Sequence, residues 1–271
     1  MSVAEDADKA LIVGLGADRP SVDFVIVGAQ KCGTTALAHF LGQHPDIGMA
    51  SPSEVHMFDG PEYSRRWTRS QIDARYAPYF RHCDDELLRG ESTPIYMYLP
   101  GVVPELKRYN PDMKLIVLLR DPVERAISNY HMEKNRGVEY RSLWLALLAE
   151  PFRLNRCKDP RPFDSALRCH SYRRRGLYSH QLRNVYQYFD RDRVLVLRSN
   201  ELRNCHRAVL ERVFTFLGLS TCEVAPAVVR KGNNEGAPWV VRFLLRLSFA
   251  AEFARLRALK RRVLIGSVAR S

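Results

Sequence analysis

Lys31 stands inside a short polar loop, Ala29-Gln30-Lys31-Cys32-Gly33, followed at once by two hydroxyls, Thr34 and Thr35. An apolar run, Phe24-Val25-Ile26-Val27, enters the loop through Gly28, and Leu37, Phe40 and Leu41 follow at helical spacing. A strand, a glycine-bounded loop and a helix start make an anion cradle. Backbone N–H groups point out of the loop, the helix N-terminus adds partial positive charge, and hydroxyls complete the donors. Gly28 and Gly33 have the spacing of the two glycines of a Walker A loop, but the lysine lies inside the loop and Thr34 stands where nucleotidases keep theirs. The chemistry indicated is that of a phosphate-type anion, away from the ATPase pattern. The plainer reading is a strand–turn–helix with a glycine turn.

Two other groups could act with this loop. Glu54-Val55-His56-Met57-Phe58-Asp59 interleaves two acids and a histidine with apolar residues. In an extended segment, alternation puts such polar positions on one face. A surface strand with outward polar positions would look the same. Arg120 ends an apolar run from Lys114, and Ser128 follows two helical turns later. The two could converge on a second anion, or the arginine could pair with Asp121 and the serine face solvent.

The elements that must hold these groups read as follows. Phe24–Val27 and Lys114–Arg120 lack polar alternation, which marks buried parallel strands. Val194–Leu197 is a third such strand and Ile47–Ala50 a short fourth. Asp121-Pro122-Val123-Glu124 is a helix start, with Asp121 as N-cap, Pro122 at the first helical position and Glu124 completing a capping box. Helices are expected over Pro100–Tyr109, from Gly176 through Tyr188, and as one unit over Glu201–Leu217, closed by Gly218. Residues 61–89, with Tyr63, Trp67, Tyr76, Tyr79 and Phe80, read as irregular helices over a cleft. Gly90–Tyr96 reads as a loop, and residues 136–170 as a polar, arginine-rich insertion. The alternation of strands and helices gives an α/β fold: a P-loop-like central parallel sheet with helices on both faces, in three layers. Ligands of such sheets bind at the carboxyl ends of the strands, where the cradle and Arg120 both lie. The expected organisation is an N-terminal arm (1–22), a main domain (23–239) and a basic amphipathic helical segment (240–271).

Composition narrows the function. The chain has 271 residues and a net charge of +12, which calls for an acidic partner. Scattered arginines without a zinc-finger or RNA-binding signature give no specific nucleic-acid site. Six cysteines are widely spaced with no CxxC pair, so they read as reduced thiols and no metal site is expected. No run of 18 apolar residues spans a membrane. The N-terminus has acids before a short apolar patch and no basic region, unlike a secretory signal, so the expected location is cytoplasmic. From Trp239 to Arg270 the chain is apolar and basic. It reads either as a helix packed on the domain with a solvated basic face, or as one resting on anionic membrane or a polyanion at the membrane surface.

Together these motifs resemble the sulfotransferases that use 3′-phosphoadenosine 5′-phosphosulfate (PAPS). QKCGTTAL is similar to that family's 5′-phosphosulfate loop, and LIVLLRDPVERAISNYH to its 3′-phosphate segment. HPDIGMASPSEVHMFD, GESTPIY and GLYSHQLRNVYQYFDRDRVLVLRSNEL resemble in particular the heparan sulfate 3-O- and N-sulfotransferases and their bacterial relatives. The resemblance runs from about Phe24 to Leu219. It implies sulfuryl transfer from PAPS to a hydroxyl, or second to an amine, of a carbohydrate, glycolipid or small molecule. Lys31 is then expected at the bridging oxygen. Cys32, Gly33, Thr34, Thr35 and Ala36 are expected around the 5′-phosphate, Arg120 and Ser128 at the 3′-phosphate, and Tyr178 against the cofactor. Glu54 matches the family's catalytic base, with His56 as runner-up. Arg230, Lys231 and Gly232 look like the cofactor-clamping triplet of cytosolic sulfotransferases. Two departures stand out: Ser92 replaces a lysine of the 3-O enzymes, and their paired C-terminal cysteines are missing. The alternatives are a P-loop nucleotide kinase, which the displaced lysine opposes, and a basic nucleic-acid-binding protein, which rests on charge alone.

Overall fold

The computed structural model describes residues 19–84, 87–227, 229 and 236–258. Five parallel strands form one sheet in the order β2-β3-β1-β4-β5. They are β1 (Phe24–Gly28), β2 (Ile47–Met49), β3 (Leu88–Glu91), β4 (Lys114–Leu119) and β5 (Val194–Arg198). β1 is buried along its whole length and pairs with β3 on one side and β4 on the other. Helices cover both faces, giving the three-layered α/β architecture that the strand and helix pattern implied. α1 (Thr34–Leu41) leaves the cradle, α2 spans Arg69–Tyr76, α3 Val102–Tyr109 and α4 Pro122–Asn135. The later helices are α5 (Leu143–Asn155), α6 (Ala166–Cys169), α7 (Tyr178–Tyr188), α8 (Ser199–Asn204), α9 (His206–Leu217) and α10 (Trp239–Ser248).

β3 takes the first two residues of the expected loop at Gly90–Tyr96, while 92–96 stay irregular. Leu88-Arg89-Gly90-Glu91 carries two charges and a glycine, so nothing in it reads as a central strand. It is one because of a distant partner. The ring of Phe24 lies flat on Gly90, where an added Cβ would fall 2.1 Å from its Cζ. Buried Glu91 keeps its carboxylate satisfied by hydrogen bonds from Tyr76 Oη (2.6 Å) and Thr93 Oγ1 (2.7 Å).

Other expectations are revised. The insertion at 136–170 is not wholly polar: it contains α5, which buries Leu143, Ala146 and Leu147 yet exposes Trp144, Leu145, Leu148 and Phe152. The single helix expected over Glu201–Leu217 is two, broken at Cys205. Asp121 caps α4 by accepting from Val123 N (2.9 Å) and Glu124 N (3.2 Å). Glu124 does not complete the box, because its carboxylate turns to Arg120 and Arg242.

The main core surrounds the sheet. A smaller one, built from Val123, Ile127 and Tyr130 of α4, Leu147 of α5, Tyr172, and Leu245 and Phe249, joins the C-terminal helix to the domain. The Phe249 ring lies so close to Gly176 that an added Cβ would meet it at 2.9 Å. Burying Leu245 and Phe249 contributes about 1.5–3 kcal/mol each. The carboxylate of Glu252, itself buried, accepts from Ser179 N (2.7 Å) and Ser179 Oγ (2.6 Å) in the first turn of α7. An anion there also meets the positive end of the helix. Residues 250–258 continue helically past Phe249.

Candidate active site

The cradle follows from how β1 ends. Ala29 N donates to Leu118 O (2.9 Å), tying the loop to β4, and Cys32 N donates to Ala29 O (3.1 Å), closing a turn. Gly33, at φ 95°, is the N-cap of α1 and offers no side-chain cap. The first helical bond runs from Leu37 N to Gly33 O (3.1 Å). The N–H groups of Thr34, Thr35 and Ala36 are therefore not used within the helix, the arrangement that binds anions. Lys31 adopts φ 70°. Left-handed backbone costs a non-glycine residue about 1–3 kcal/mol and persists where the surroundings over-determine it.

Behind the loop lie two fully buried arginines. Arg175 donates to the Gln30 side chain, to Leu167 O (3.0 Å) and to Arg168 O (2.6 Å). Arg125 donates to Asn129 Oδ1 (3.1 Å) and to Tyr172 O. Neither Nε has a partner among the described residues. Burial, then the adjacent Arg125 charge, lowers Arg175 to about 10. Burial raises Glu133, and the charges of Arg136, Arg175 and Lys31 pull it back, so the Lys31 ammonium lies in the field of that carboxylate. Cys32 is buried, its sulfur 3.5 Å from Tyr178 Oη, and burial pushes its thiol up, away from a reactive thiolate.

Beside the cradle, at the ends of β4 and β5, is a cavity of about 1040 Å³ whose lining includes Arg120, Tyr178, Arg198, Ser199, Arg246 and Arg257. Arg120 pairs with Glu124 at 3.8 Å rather than with Asp121. Ser128 is half-buried one turn beyond Glu124, and no hydrogen bond joins it to Arg120. Ser199 reaches back to the cradle: a Cβ on Gly33 would lie 3.6 Å from its Oγ.

On the opposite side of the cradle, residues 54–59 form a turn instead of the expected extended segment. His56 sits at φ 58°. Among the described residues it shares the left-handed region with only one other non-glycine residue, Lys31. The turn gathers all three groups, whereas strict alternation would have put Glu54 and His56 on one face and Asp59 on the other. His56 Nδ1 is 3.0 Å from Asp59 Oδ2, and its Nε2 is 3.7 Å from Glu54 Oε2. Burial opposes charge on His56, but hydrogen bonds to Asp59 and Glu54 outweigh it and raise the imidazole to about 9. Asp59 is buried and held from behind by Arg168, whose Nη1 donates to Oδ2 (2.7 Å). The His56 ring meets Phe163 edge-on at 5.3 Å. Val55 N and His56 N both donate to Thr93 Oγ1 (3.2 and 3.3 Å), which in turn donates to Glu91. Burial raises Glu91 to about 7, against the hydrogen bonds from Tyr76 and Thr93.

All these groups lie along the carboxyl edge of the sheet, in strand order: Glu54, His56 and Thr93 after β2 and β3, the cradle after β1, Arg120 after β4, Ser199 after β5. Cys32 meets Tyr178, and Glu54 meets His56. Arg230, Lys231 and Gly232 lie outside the described residues. Arg168, Arg175, Arg198, Arg246 and Arg257 were not expected here. Arg198 had a legible signal, since it ends an apolar run as Arg120 does; the others are brought in by tertiary packing.

The sulfotransferase domain matches residues 21–231. Human heparan sulfate glucosamine 3-O-sulfotransferase 6 is 34% identical over 199 residues, covering 72% of this chain and 52% of that protein. The membrane-associated sulfotransferase kil1 of Dictyostelium discoideum is 36% identical over 111 residues, covering 40% of this chain and 22% of that one. The chain thus spans about half or less of the length of these curated relatives. A crystal structure of a sulfotransferase from Alicyclobacillus acidocaldarius has a TM-score of 0.71 at 31% identity, covering 88% of this chain and 95% of that one.

Proposed function

We infer, because the chain belongs to the sulfotransferase domain family, that it transfers a sulfuryl group from PAPS to a hydroxyl, or second to an amine, of a carbohydrate, glycolipid or small-molecule acceptor. Adenosine 3′,5′-bisphosphate is the other product. The observation that carries this reading is the arrangement along the sheet edge: a cradle holding Lys31, an arginine-rich cavity on one side and the Glu54–His56 turn on the other. The donor fits these residues. The open N–H groups of Thr34, Thr35 and Ala36, with Gly33, suit a 5′-phosphate. Cys32 is buried and contributes its main chain, and Tyr178 walls the nucleotide side. Arg120 and Ser128 are assigned to the 3′-phosphate. The anion would then replace Glu124 as the partner of Arg120.

In-line transfer of a sulfuryl group spreads charge over its oxygens and onto the leaving phosphate. Positioned cations and N–H donors stabilise that charge. Lys31 is the cation assigned to the leaving oxygen. The acceptor must lose a proton to a base within hydrogen-bond reach. At neutral pH the His56 imidazole, raised to about 9, is already protonated and cannot accept one. Glu54, with 45% of its side chain exposed, is therefore the assigned base, and His56 the cation that orients it. The acceptor approaches past Phe163 and the segment from 136 to 170. The names of the 3-O-sulfotransferase relatives favour a sugar hydroxyl.

Within this reading 23–239 is the transferase domain and 240–271 a basic segment that meets an anionic surface, lipid or polyanion; residues 1–18 of the arm assigned to 1–22, and 259–271, lie outside the described residues. Among the described residues no helix is long and apolar enough to cross a membrane. We place the enzyme in the cytoplasm, peripheral at the membrane surface. The test is incubation of the purified chain with ³⁵S-labelled PAPS and a panel of oligosaccharides and glycolipids, without added metal. Labelled acceptor, absent with Lys31→Ala, is expected. Equal labelling by that variant, or a phosphoryl transfer that requires magnesium, overturns the reading.

A further inference from the structure

The C-terminal helical segment has two apolar faces where packing on the domain needs one. Leu245 and Phe249 are buried, Phe253 and Leu256 half-buried, and Glu252 is bound to α7, so this side is the docked one. At 100° per residue, Val240, Phe243, Leu244 and Leu247 fall on the opposite side. They are exposed, Leu247 at 57%, and Trp239 at the head of the helix is exposed at 77%. Exposed Ala250, Ala251 and Ala254 continue the row. The same arithmetic puts Arg242, Arg246 and Arg257 along one border of this row and Arg255 along the other. The single acid between Trp239 and Ala258 is Glu252, which faces inward.

We propose that this outward row is the seat of the enzyme on an anionic phospholipid surface. The proposal rests on the anionic contact assigned above to residues 240–271 and fixes its partner as lipid. A helix with a wide apolar face between cationic borders lies in the plane of the interface, apolar side chains at the acyl boundary and guanidinium groups at the phosphates. Trp239, apolar in body with a polar N–H, suits the headgroup level. Basic residues held close to an anionic leaflet each strengthen attachment to it. A second copy of the chain fits less well. A two-fold contact through this row would set its arginine borders against themselves, with no outward acid to neutralise them. Arg246 and Arg257 also line the cavity beside Arg120, so the seated helix brings the cavity close to the lipid.

The experiment is co-sedimentation of the full chain with vesicles at about 0.1 M salt, where surface charges still act over roughly 10 Å. Binding to phosphatidylglycerol–phosphatidylcholine vesicles is expected, and several-fold weaker binding to phosphatidylcholine alone. The double variant Phe243→Asp, Leu247→Asp should bind at least about tenfold more weakly. Arg255→Glu, a second exposed change, should weaken binding to the anionic vesicles only. Equal binding by the double variant overturns the proposal, as does equal binding to neutral vesicles. A solution dimer that the double variant dissolves, without vesicle binding by the wild type, would assign the row to a second copy and also overturn it. Transfer to a water-soluble acceptor is assayed separately. Failure there with vesicle binding intact removes the transferase reading and leaves the lipid seat standing.

Discussion

On the cradle side of the sheet edge, Arg125 and Arg175 are buried with their Nε atoms unpartnered, and Arg120, Arg198, Arg246 and Arg257 gather at one cavity. On the Glu54 side, the charges of the turn are paired with one another: His56 lies between Glu54 and Asp59, and Asp59 is held by Arg168. The first region carries an excess of positive charge at a cost in desolvation. In the proposed reading that charge is met by an anion that arrives with the substrate. The second is neutralised from within and holds a titratable histidine between two carboxylates. Sulfuryl transfer asks for both: a fixed field at the leaving phosphate and a titratable group at the acceptor. Lys31 and His56, one in each region, are also the two non-glycine residues in left-handed backbone among those described.

The contrast can be broken first at Lys31. Lys31→Ala should lower kcat by about 10³-fold, as removal of a transition-state charge donor does. A change confined to KM for PAPS would mean that the cradle lysine only binds. Next, Glu54→Gln should lower kcat by about 10²–10⁴-fold, the contribution of a positioned base. Calorimetry should find the affinity of that variant for adenosine 3′,5′-bisphosphate nearly unchanged. Lost nucleotide affinity would show that the two regions are not separable. Third, Arg168→Met should cost about 3 kcal/mol in urea denaturation, because it leaves Asp59 buried against His56 alone. A loss well below 1 kcal/mol would mean that His56 suffices as counter-charge.

The smallest effect is the pH dependence of stability. His56 is raised from its usual 6.5 to about 9 in the fold. A raised folded value gives stability that is fully present below pH 6.5 and lost as pH rises through about 9. The difference in urea midpoint between wild type and His56→Gln should therefore shrink across that window. A constant difference would mean that His56 does not titrate in its turn.

Much of this was legible in the sequence, and unevenly so. β1, the cradle, β4 and the start of α4 are written locally, in an apolar run, a glycine-bounded loop, and an Asp-Pro at the helix start. The fold class followed from them. β3 was not legible, since its place in the sheet depends on Phe24 lying over Gly90 and on Tyr76 and Thr93 satisfying Glu91. The Glu54 turn was found by residue type, but its geometry depends on Arg168, 109 positions beyond Asp59. Arg175 looked like one arginine among many, and only its burial behind Gln30 distinguishes it. The C-terminal pattern showed that a helix is amphipathic. Which of its two apolar faces is docked is decided by Gly176 and Ser179.

That last contact sets an orientation. Glu252 is bound at both oxygens by one residue of α7, so it fixes the angle of the C-terminal helix about its own axis, as a key fixes a shaft. One residue inserted between Phe249 and Glu252 would turn the carboxylate about 100° away from Ser179, or turn the preceding rows by the same angle if the key stayed in place. The face that this segment shows to its surroundings is therefore set by spacing as much as by composition. A homologue with the same residues in another phase would present a different surface.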